Sequence, residues 1–540
     1  MASSAIGSYS ILIGVVYLFN LIVGNGALAM PRAFQDAGYV LGVVILGASC
    51  VVSYVSATFV VEAMAVTNLL KGKPETVQQN GHSAGEEGAD SDADRLVDTA
   101  DPIPDVEVVS RDLSSAIVQK FEMNEMAAVF FGRGGVVFFQ LFLALYLLGD
   151  LAICTAMVPK SLMMVVCHFN SNVSCAADVS DSDSCFAGNA VSLTRWQVYR
   201  VFVIIFAVTI GPFVFANMSK TKYLQLFTTV SRWTAILLML SLGVRKLLLD
   251  PAPDRPPMVN LTNFGSLFGV SVYAFMCHHS LPGILTPITD KRRLSASLFF
   301  VFVLILLLYG GLAASGAFAF SSALKDVYTF NFFDQLCERA ASLSTAQRVA
   351  YYFLGVFPAL TLSTNFPISG VTLKNNLMFL LKVISVGDAM GVDDNSQHVG
   401  LPALEGYEPI DVVEPVRPSG DPSSSDPLLG GPLEATSGVA QSRRMRLLSA
   451  YGVPLAVIVI PTVVALFESD VELLSAVTGS YAGVGVEYVL PALLAFAARR
   501  RRPGASSGRR WRGSFWPVFV IGWSVGTVFI VTLNLVSKWL

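Results

Sequence analysis

Charge is the scarcest property of this chain. Only 14% of its 540 residues are Asp, Glu, Lys or Arg, against about 25% in a soluble globular protein. The two signs nearly cancel, with 36 basic and 39 acidic residues for a net charge of −3. Net charge alone says little, and nucleic acid is not supported as a partner because the basic clusters are loop charges that the membrane topology below accounts for. Histidine is scarce too, with 5 residues, and cysteine contributes 7. The chain has no His-Glu-x-x-His helix, no Cys-x-x-Cys spacing, no nucleophile elbow and no cofactor-binding glycine fingerprint. It is therefore read as a non-enzyme without a resident cofactor; a membrane-embedded enzyme using His278, His279 and Asp150 is the weaker class. Met1-Ala2-Ser3-Ser4 offers neither a basic n-region nor a cleavage site, so the first apolar segment is expected to stay as a signal anchor.

What the chain has in quantity is apolar sequence: 53% of residues are hydrophobic and the mean hydropathy is +0.60. About 20 apolar residues span a bilayer as a helix. Eleven segments qualify: 10–31, 39–66, 135–165, 198–216, 224–246, 265–289, 296–320, 347–371, 450–468, 472–498 and 515–536. The expected fold class is an all-α polytopic membrane protein. The basic loops containing Lys220 and Lys222, Lys291 to Arg293, Arg443 to Arg446 and Arg499 to Arg512 then share one side. By the positive-inside rule that side is cytoplasmic. The N-terminus falls inside and the C-terminus outside or in a lumen, with the plasma membrane or the endolysosomal system as location. The sequons at Asn172 and Asn260 fall on the outer side, as expected of a glycoprotein, while that at Asn217 falls inside. Cys167, Cys175, Cys185 and Cys337 are also placed outside, where disulfides form. Four cysteines allow three connectivities, and Cys175 with Cys185 is the first expectation.

Two stretches interrupt the apolar pattern. Residues 70–120 are acidic, and residues 385–442 are rich in Pro, Ser, Gly and Asp. Both are expected to be disordered cytoplasmic linkers. The chain thus divides into 1–69 (helices 1–2), the first linker, 121–384 (helices 3–8), the second linker, and 443–540 (helices 9–11).

Two spans carry their own breaks. In the first, Gly24-Asn25-Gly26 is followed by Pro31; in the sixth, Phe275-Met276-Cys277-His278-His279-Ser280 leads into Pro282-Gly283. Glycine and proline weaken helices. Backbone freed at membrane depth survives only when buried in protein or facing a wet cavity. The alternative is a glycine-rich packing face. Spans one and six are five apart, so they cross in opposite directions, and paired breaks of this kind mark inverted-repeat transporters. The half-helix starting near Gly26 would aim free N–H groups at an anion, and carbonyls near Cys277 and His278 would face an ammonium. Gly24, Asn25, Gly26, Phe275, Met276, Cys277 and His278 are therefore the candidate substrate site, suited to a zwitterion.

The stretch from Phe19-Asn20 through Pro31 to Gly38 resembles the first-helix signature of the amino acid/auxin permease group, within the amino acid–polyamine–organocation superfamily. Ala274-Phe275-Met276-Cys277-His278 with Leu281-Pro282 is similar to the sixth-helix signature of sodium-coupled neutral amino acid transporters. Val477 to Gly483, continuing to Leu490-Pro491, resembles the tenth-helix pattern. The resemblance implies a LeuT-type 5+5 inverted repeat with discontinuous helices 1 and 6 and an eleventh helix. It also implies a cation site at Asn20 with a span-eight hydroxyl from Thr361, Ser363 or Thr364. Asn365 and Pro358 depart from the transporter pattern there.

Asp150, Arg232 and Glu487 lie within spans three, five and ten. Ionisable groups at that depth face a partner or a wet cavity. They are candidates for coupling or gating, against a structural ion pair or neutral acid. The leading expectation is a secondary transporter, a symporter of small zwitterionic solutes, neutral amino acids above all, with Na+ or H+ as coupling ion. The alternative is a membrane nutrient sensor that signals through its linkers to a cytoplasmic partner.

Overall fold

The computed structural model describes residues 8–71, 116–170, 181–186, 193–215, 222–250, 252, 254–338, 343–389, 447–502 and 513–539. Among these the architecture is all-helical; the only β pairings are isolated bridges, Tyr9 with Ile288 and Ser184 with Thr194. Eight helices are long and apolar enough to cross a membrane, or nine when α1 (Ile11–Ile22) and α2 (Gly26–Ala37), bent by 57° at their junction, count as one span. The eight include α3 (Tyr39–Lys71), α4 (Met123–Asn170), α5 (Arg195–Thr209) with its 3-10 extension to Phe215, α6 (Lys222–Leu249) and α9 (Leu294–Phe320). The sixth predicted span appears as α7 (Phe264–Phe275), a 3-10 turn at His278–Ser280 and the short α8 (Leu281–Leu285). The eighth lies within α11 (Thr345–Ala389). The last three are α12 (Val453–Phe467), α13 (Val471–Arg501) and α14 (Phe515–Trp539).

Hydrophobic burial sorts these helices. The most apolar window of α13 is 72% buried, that of α14 only 22%. So α13 runs through the middle and α14 along the rim. Val518, Val525, Phe529 and Leu533 of α14 stay exposed, as do Leu455, Val459 and Val463 of α12. An apolar belt of this kind is what a hydrocarbon solvent requires. This is an integral, multi-pass membrane protein. In the middle, α13 crosses α7 so closely that a Cβ on Gly269 would strike the backbone of Ala476, and one on Gly479 that of Gly269. Small residues permit such helix contacts where lipid supplies no hydrophobic drive.

Three features depart from the reading above. The first is α10 (Tyr328–Glu338), a helix in a segment expected to be loop, whose Phe330, Phe332 and Phe333 are buried against the bundle. The second is length: α11 has 45 residues, about 67 Å at 1.5 Å per residue, roughly twice the hydrocarbon thickness. Arg133 holds its far end by donating to the carbonyls of Val383, 2.7 Å, and Ile384, 2.9 Å. The third is the disulfide. Cys185 pairs with Cys167, not with Cys175, across a separation of 18 residues. The Cys185 amide bonds to the Leu193 carbonyl at 2.9 Å and the Arg195 amide to Asp183. These bonds fold the loop back onto the start of α5, beside the last turns of α4 where Cys167 stands. Cys175, Asn172 and Asn217 lie outside the described residues, as do 72–115 of the first linker and 390–442 of the second.

The end of the first linker is folded. Asn68 at the end of α3 accepts from the amides of Val118 and Gln119 and donates to the Gln119 carbonyl, at 3.1, 2.7 and 3.1 Å. Ile117 is buried beneath this clamp.

Candidate functional site

A helix that stops in mid-bundle strands the carbonyls whose amide partners it has lost. With the break at Val23–Asn25, the carbonyls of Asn20 and Ile22 are left over; with the break at Met276–Cys277, so is that of Ala274. Side chains satisfy all three. Arg232 of α6 donates from Nη1 to the Asn20 carbonyl at 2.8 Å. Tyr309 of α9 shares its hydroxyl proton between the Ile22 carbonyl at 3.0 Å and the Ala274 carbonyl at 3.2 Å. The two breaks touch: a Cβ on Gly26 would stand 2.6 Å from Cα of Ala274.

Beside this crossing lies a cavity of about 470 Å³. The broken first span contributes Tyr17, Asn20, Gly24, Asn25 and Gly26; Met276 and His279 come from the second break. Asp150 and Tyr146 enter from α4, Arg232 from α6, Tyr273 from α7, and Thr361, Thr364, Asn365 and Ser369 from α11. The cavity extends toward Tyr17 and Ile284, and Tyr17 is exposed. On the Leu28 and Met239 side only about 10 Å³ of space remains.

Four elements meet in one hydrogen-bond chain at the cavity wall. Asn25 Nδ2 donates to the Tyr273 hydroxyl at 3.3 Å, and Tyr273 donates to Asp150 Oδ1 at 2.7 Å. Ser369 donates to Asp150 Oδ2 at 3.0 Å. The acid is thus held from α7 and α11 while it borders the same space as the Arg232 guanidinium. One acidic and one basic side chain lining one cavity give it the charge pattern of a zwitterion's complement.

The predicted substrate residues divide. Gly24, Asn25, Gly26 and Met276 line the cavity. Phe275 packs against Tyr309 and Phe302, and Cys277 and His278 are fully buried off the cavity. The 3-10 turn after Cys277 swings His278 toward α3, where Nε2 lies 3.0 Å from the Ser53 carbonyl. Of the predicted ion residues, Asn20, Thr361 and Thr364 border the cavity and Ser363 does not. The Asn20 amide donates to the Thr229 hydroxyl at 2.9 Å, a helix–helix bond. Thr361 Oγ1 is buried without a partner, and Thr364 donates to the Thr361 carbonyl at 2.7 Å. Arg232 borders the same cavity and bonds to the main-chain carbonyl of the same Asn20, so a guanidinium lies beside the expected ion site. Glu487 lies off the cavity, fully buried opposite His278. Asn260 caps a 3-10 turn, and its Nδ2 donates to the Asp36 carbonyl at 3.0 Å.

Tyr309, Tyr273 and Ser369 were not singled out from the sequence. A signal existed for the first: Tyr309 ends the run Leu298 to Leu308, in which no other side chain can donate a hydrogen bond, and a phenol at such depth seeks an acceptor.

The model of the family described as transmembrane amino acid transporter protein matches residues 118–537. The chain belongs to that family. Transmembrane protein 104 homolog of Caenorhabditis elegans is 35% identical over 543 residues, covering 99% of this chain and 98% of that one. Transmembrane protein 104 of Mus musculus is 35% identical, covering 98% and 97%. The homolog of Dictyostelium discoideum is 29% identical, covering 91% and 89%. The family match takes in Asp150, Arg232, Tyr273 and Met276 but begins after the first broken span. Asn20 to Gly26 fall in the part that the Caenorhabditis elegans and Mus musculus relatives cover.

Proposed function

We propose that the chain is a secondary transporter that moves a small zwitterionic solute, a neutral amino acid, by alternating access, with H+ rather than Na+ as the coupling ion. The observation that carries this reading is the cavity of about 470 Å³ at the touching helix breaks, bordered by Asp150 on one element and Arg232 on another. Its volume is within the usual range for small-molecule sites, about 300–1,000 Å³. The solute's carboxylate would lie toward the amides after Gly24 and toward Arg232, and its ammonium toward Asp150 and Tyr273. Alternating access in a 5+5 repeat would tilt the paired breaks against α3, α4 and α11. With the basic loops on the cytoplasmic side, the space reaching Tyr17 faces inward, and the conformation is inward-open. The fixed guanidinium beside Asn20 supports a proton in place of sodium.

The test uses purified full-length protein in lipid vesicles, offered all twenty protein amino acids together under an imposed proton gradient. Accumulation of neutral amino acids above that in protein-free vesicles is the expected result. No difference from protein-free vesicles would overturn the reading. Saturable binding without flux would point instead to a receptor signalling through residues 70–120 or 385–442.

A further inference from the structure

Glu487 and His278 face each other in a space the solute cavity does not reach. Both side chains are fully buried, and Glu487 Oε1 lies 3.9 Å from His278 Nδ1. The partner of His278 Nε2 is the Ser53 carbonyl, at 3.0 Å. A carbonyl only accepts, so Nε2 carries the ring's hydrogen and Nδ1 of the neutral ring presents a lone pair. Neither Nδ1 nor either Glu487 oxygen has a well-formed hydrogen bond, although the Ser53 hydroxyl lies close enough to act on the Glu487 carboxyl. The nearby Ser53 hydroxyl is engaged with the Tyr488 hydroxyl at 3.2 Å. Two acceptors therefore face each other across 3.9 Å. A single proton, with the two groups drawn together by about 1 Å to hydrogen-bond distance, converts that opposition into one O–H···N or N–H···O bond and removes the cost of a buried, unpaired acceptor.

The surroundings leave His278 as the basic partner. The ionisable groups facing Glu487 are Cys50 of α3, Tyr146 of α4, Cys277 at the break and Tyr488 of α13 itself. His279 adjoins His278 on the 3-10 turn. Between Phe515 and Ser537, α14, which packs on the same segment, carries no ionisable side chain, and its Lys538 stands at the far end of the helix. Among the described residues no lysine or arginine acts on the carboxyl. The backbone here is wound as π-helix at Gly479–Gly483 and again at Gly485–Val489; such wide turns are frequent at functional sites. Met276 and His279, on either side of His278, line the solute cavity. His279 also borders a second cavity of about 410 Å³ that reaches Lys120 and Arg133. The pair thus lies one residue away from both wet spaces, on the same turn that forms the break.

We propose that Glu487 and His278 form a proton-binding site that holds one exchangeable proton per chain and sets the position of the second break. The proton arrives from cavity water by way of His279, forms one O–H or N–H bond in the pair, and returns to water, so no other reactant takes part. The role in coupling rests on the transport reading; the binding of the proton does not.

The decisive experiment needs no solute. Full-length protein in lipid vesicles is titrated with acid while its infrared spectrum is recorded. The protonated-carboxyl band of wild type should exceed that of Glu487→Gln by one group per chain if the proton rests on oxygen; equal bands together with an unchanging His278 ring would overturn the proposal. Nitrogen NMR of histidine-labelled wild type gives a second reading that needs no functional variant. The Nδ1 signal of His278, assigned by its loss in His278→Asn, should move with pH, and a signal fixed over the whole range would overturn the site. In flux measurements, gradient-driven amino acid uptake should vanish in Glu487→Gln while exchange persists. Uptake that ignores the proton gradient although the pair titrates would overturn the coupling role. Wild-type vesicles that move no amino acid would defeat the transport reading, and the two spectra would still decide the proton site.

Discussion

Arg232 donates from Nη1 to the main-chain carbonyl of Asn20 across 2.8 Å, which fixes a cation at the C-terminal end of α1. A positive charge there complements the helix dipole and caps a carbonyl that the break leaves free. A sodium ion bound to the same asparagine would have to share the space with a guanidinium. Solute uptake into vesicles should therefore be equal in sodium and in potassium or choline medium. Clear stimulation by sodium would show that the guanidinium moves aside and that the ion site is real.

Tyr309→Phe removes one oxygen and leaves the ring in place against Phe275, whose centroid is 5.6 Å away. The carbonyls of Ile22 and Ala274 lose their shared donor. Each buried, unsatisfied group costs about 1–3 kcal/mol. The variant should melt at lower temperature in detergent and show faster amide exchange around residues 23–28 and 276–280. Wild-type melting and exchange would mean that the hydroxyl is dispensable at the breaks.

The two glycines of the first break should behave differently. A Cβ on Gly24 would meet nothing nearer than the Ile22 carbonyl at 3.8 Å, whereas one on Gly26 would stand 2.6 Å from the Ala274 backbone. Gly24→Ala should accumulate in membranes like wild type. Gly26→Ala overpacks the crossing, at a cost of about 1–3 kcal/mol, and should be less abundant and less heat-stable. Equal abundance of the two variants would argue against a close crossing.

Asn68→Ala removes three bonds that hold residues 118 and 119 to the end of α3. Limited proteolysis and amide exchange should then reach back to Ile117, while protection of the transmembrane helices is unchanged. Protection of 117–119 equal to wild type would show that burial of Ile117 suffices.

Cys167→Ser and Cys185→Ser should each abolish the same mobility difference between reduced and non-reduced gels, and Cys175→Ser should leave it intact. Loss of the bridge should lower stability by about 3 kcal/mol on the loop-closure model. A shift that depends on Cys175 would restore the pairing expected from the sequence.

The breaks were legible because glycine and proline announce them locally, and Asp150 and Arg232 because an ionisable residue in an apolar run must have a reason. What could not be read was direction. A residue in a 3-10 turn projects differently from one in an α-helix, since three residues rather than 3.6 complete the circle. His278, one residue past the break, therefore points to Ser53 and Glu487 and not to the solute space. The disulfide partner of Cys185 depended on loop bonds to Leu193 and Asp183 that no spacing encodes. The helix Tyr328–Glu338 was hidden because its length is too short to span a membrane and its aromatics read as loop. Tyr309 caps carbonyls far along the chain, 287 and 35 positions away, and such a pairing exists only after the helices have packed.

The contact between Gly26 and Ala274 has a mechanical meaning. Two helix breaks separated by a compressible gap would act as two independent gates. Here the backbones abut, and close-packed protein transmits displacement with little slack. A tilt of one half-helix would carry its neighbour with it, so in the proposed transport cycle the crossing would serve as a pivot and the attached segments as levers of a single rocking unit.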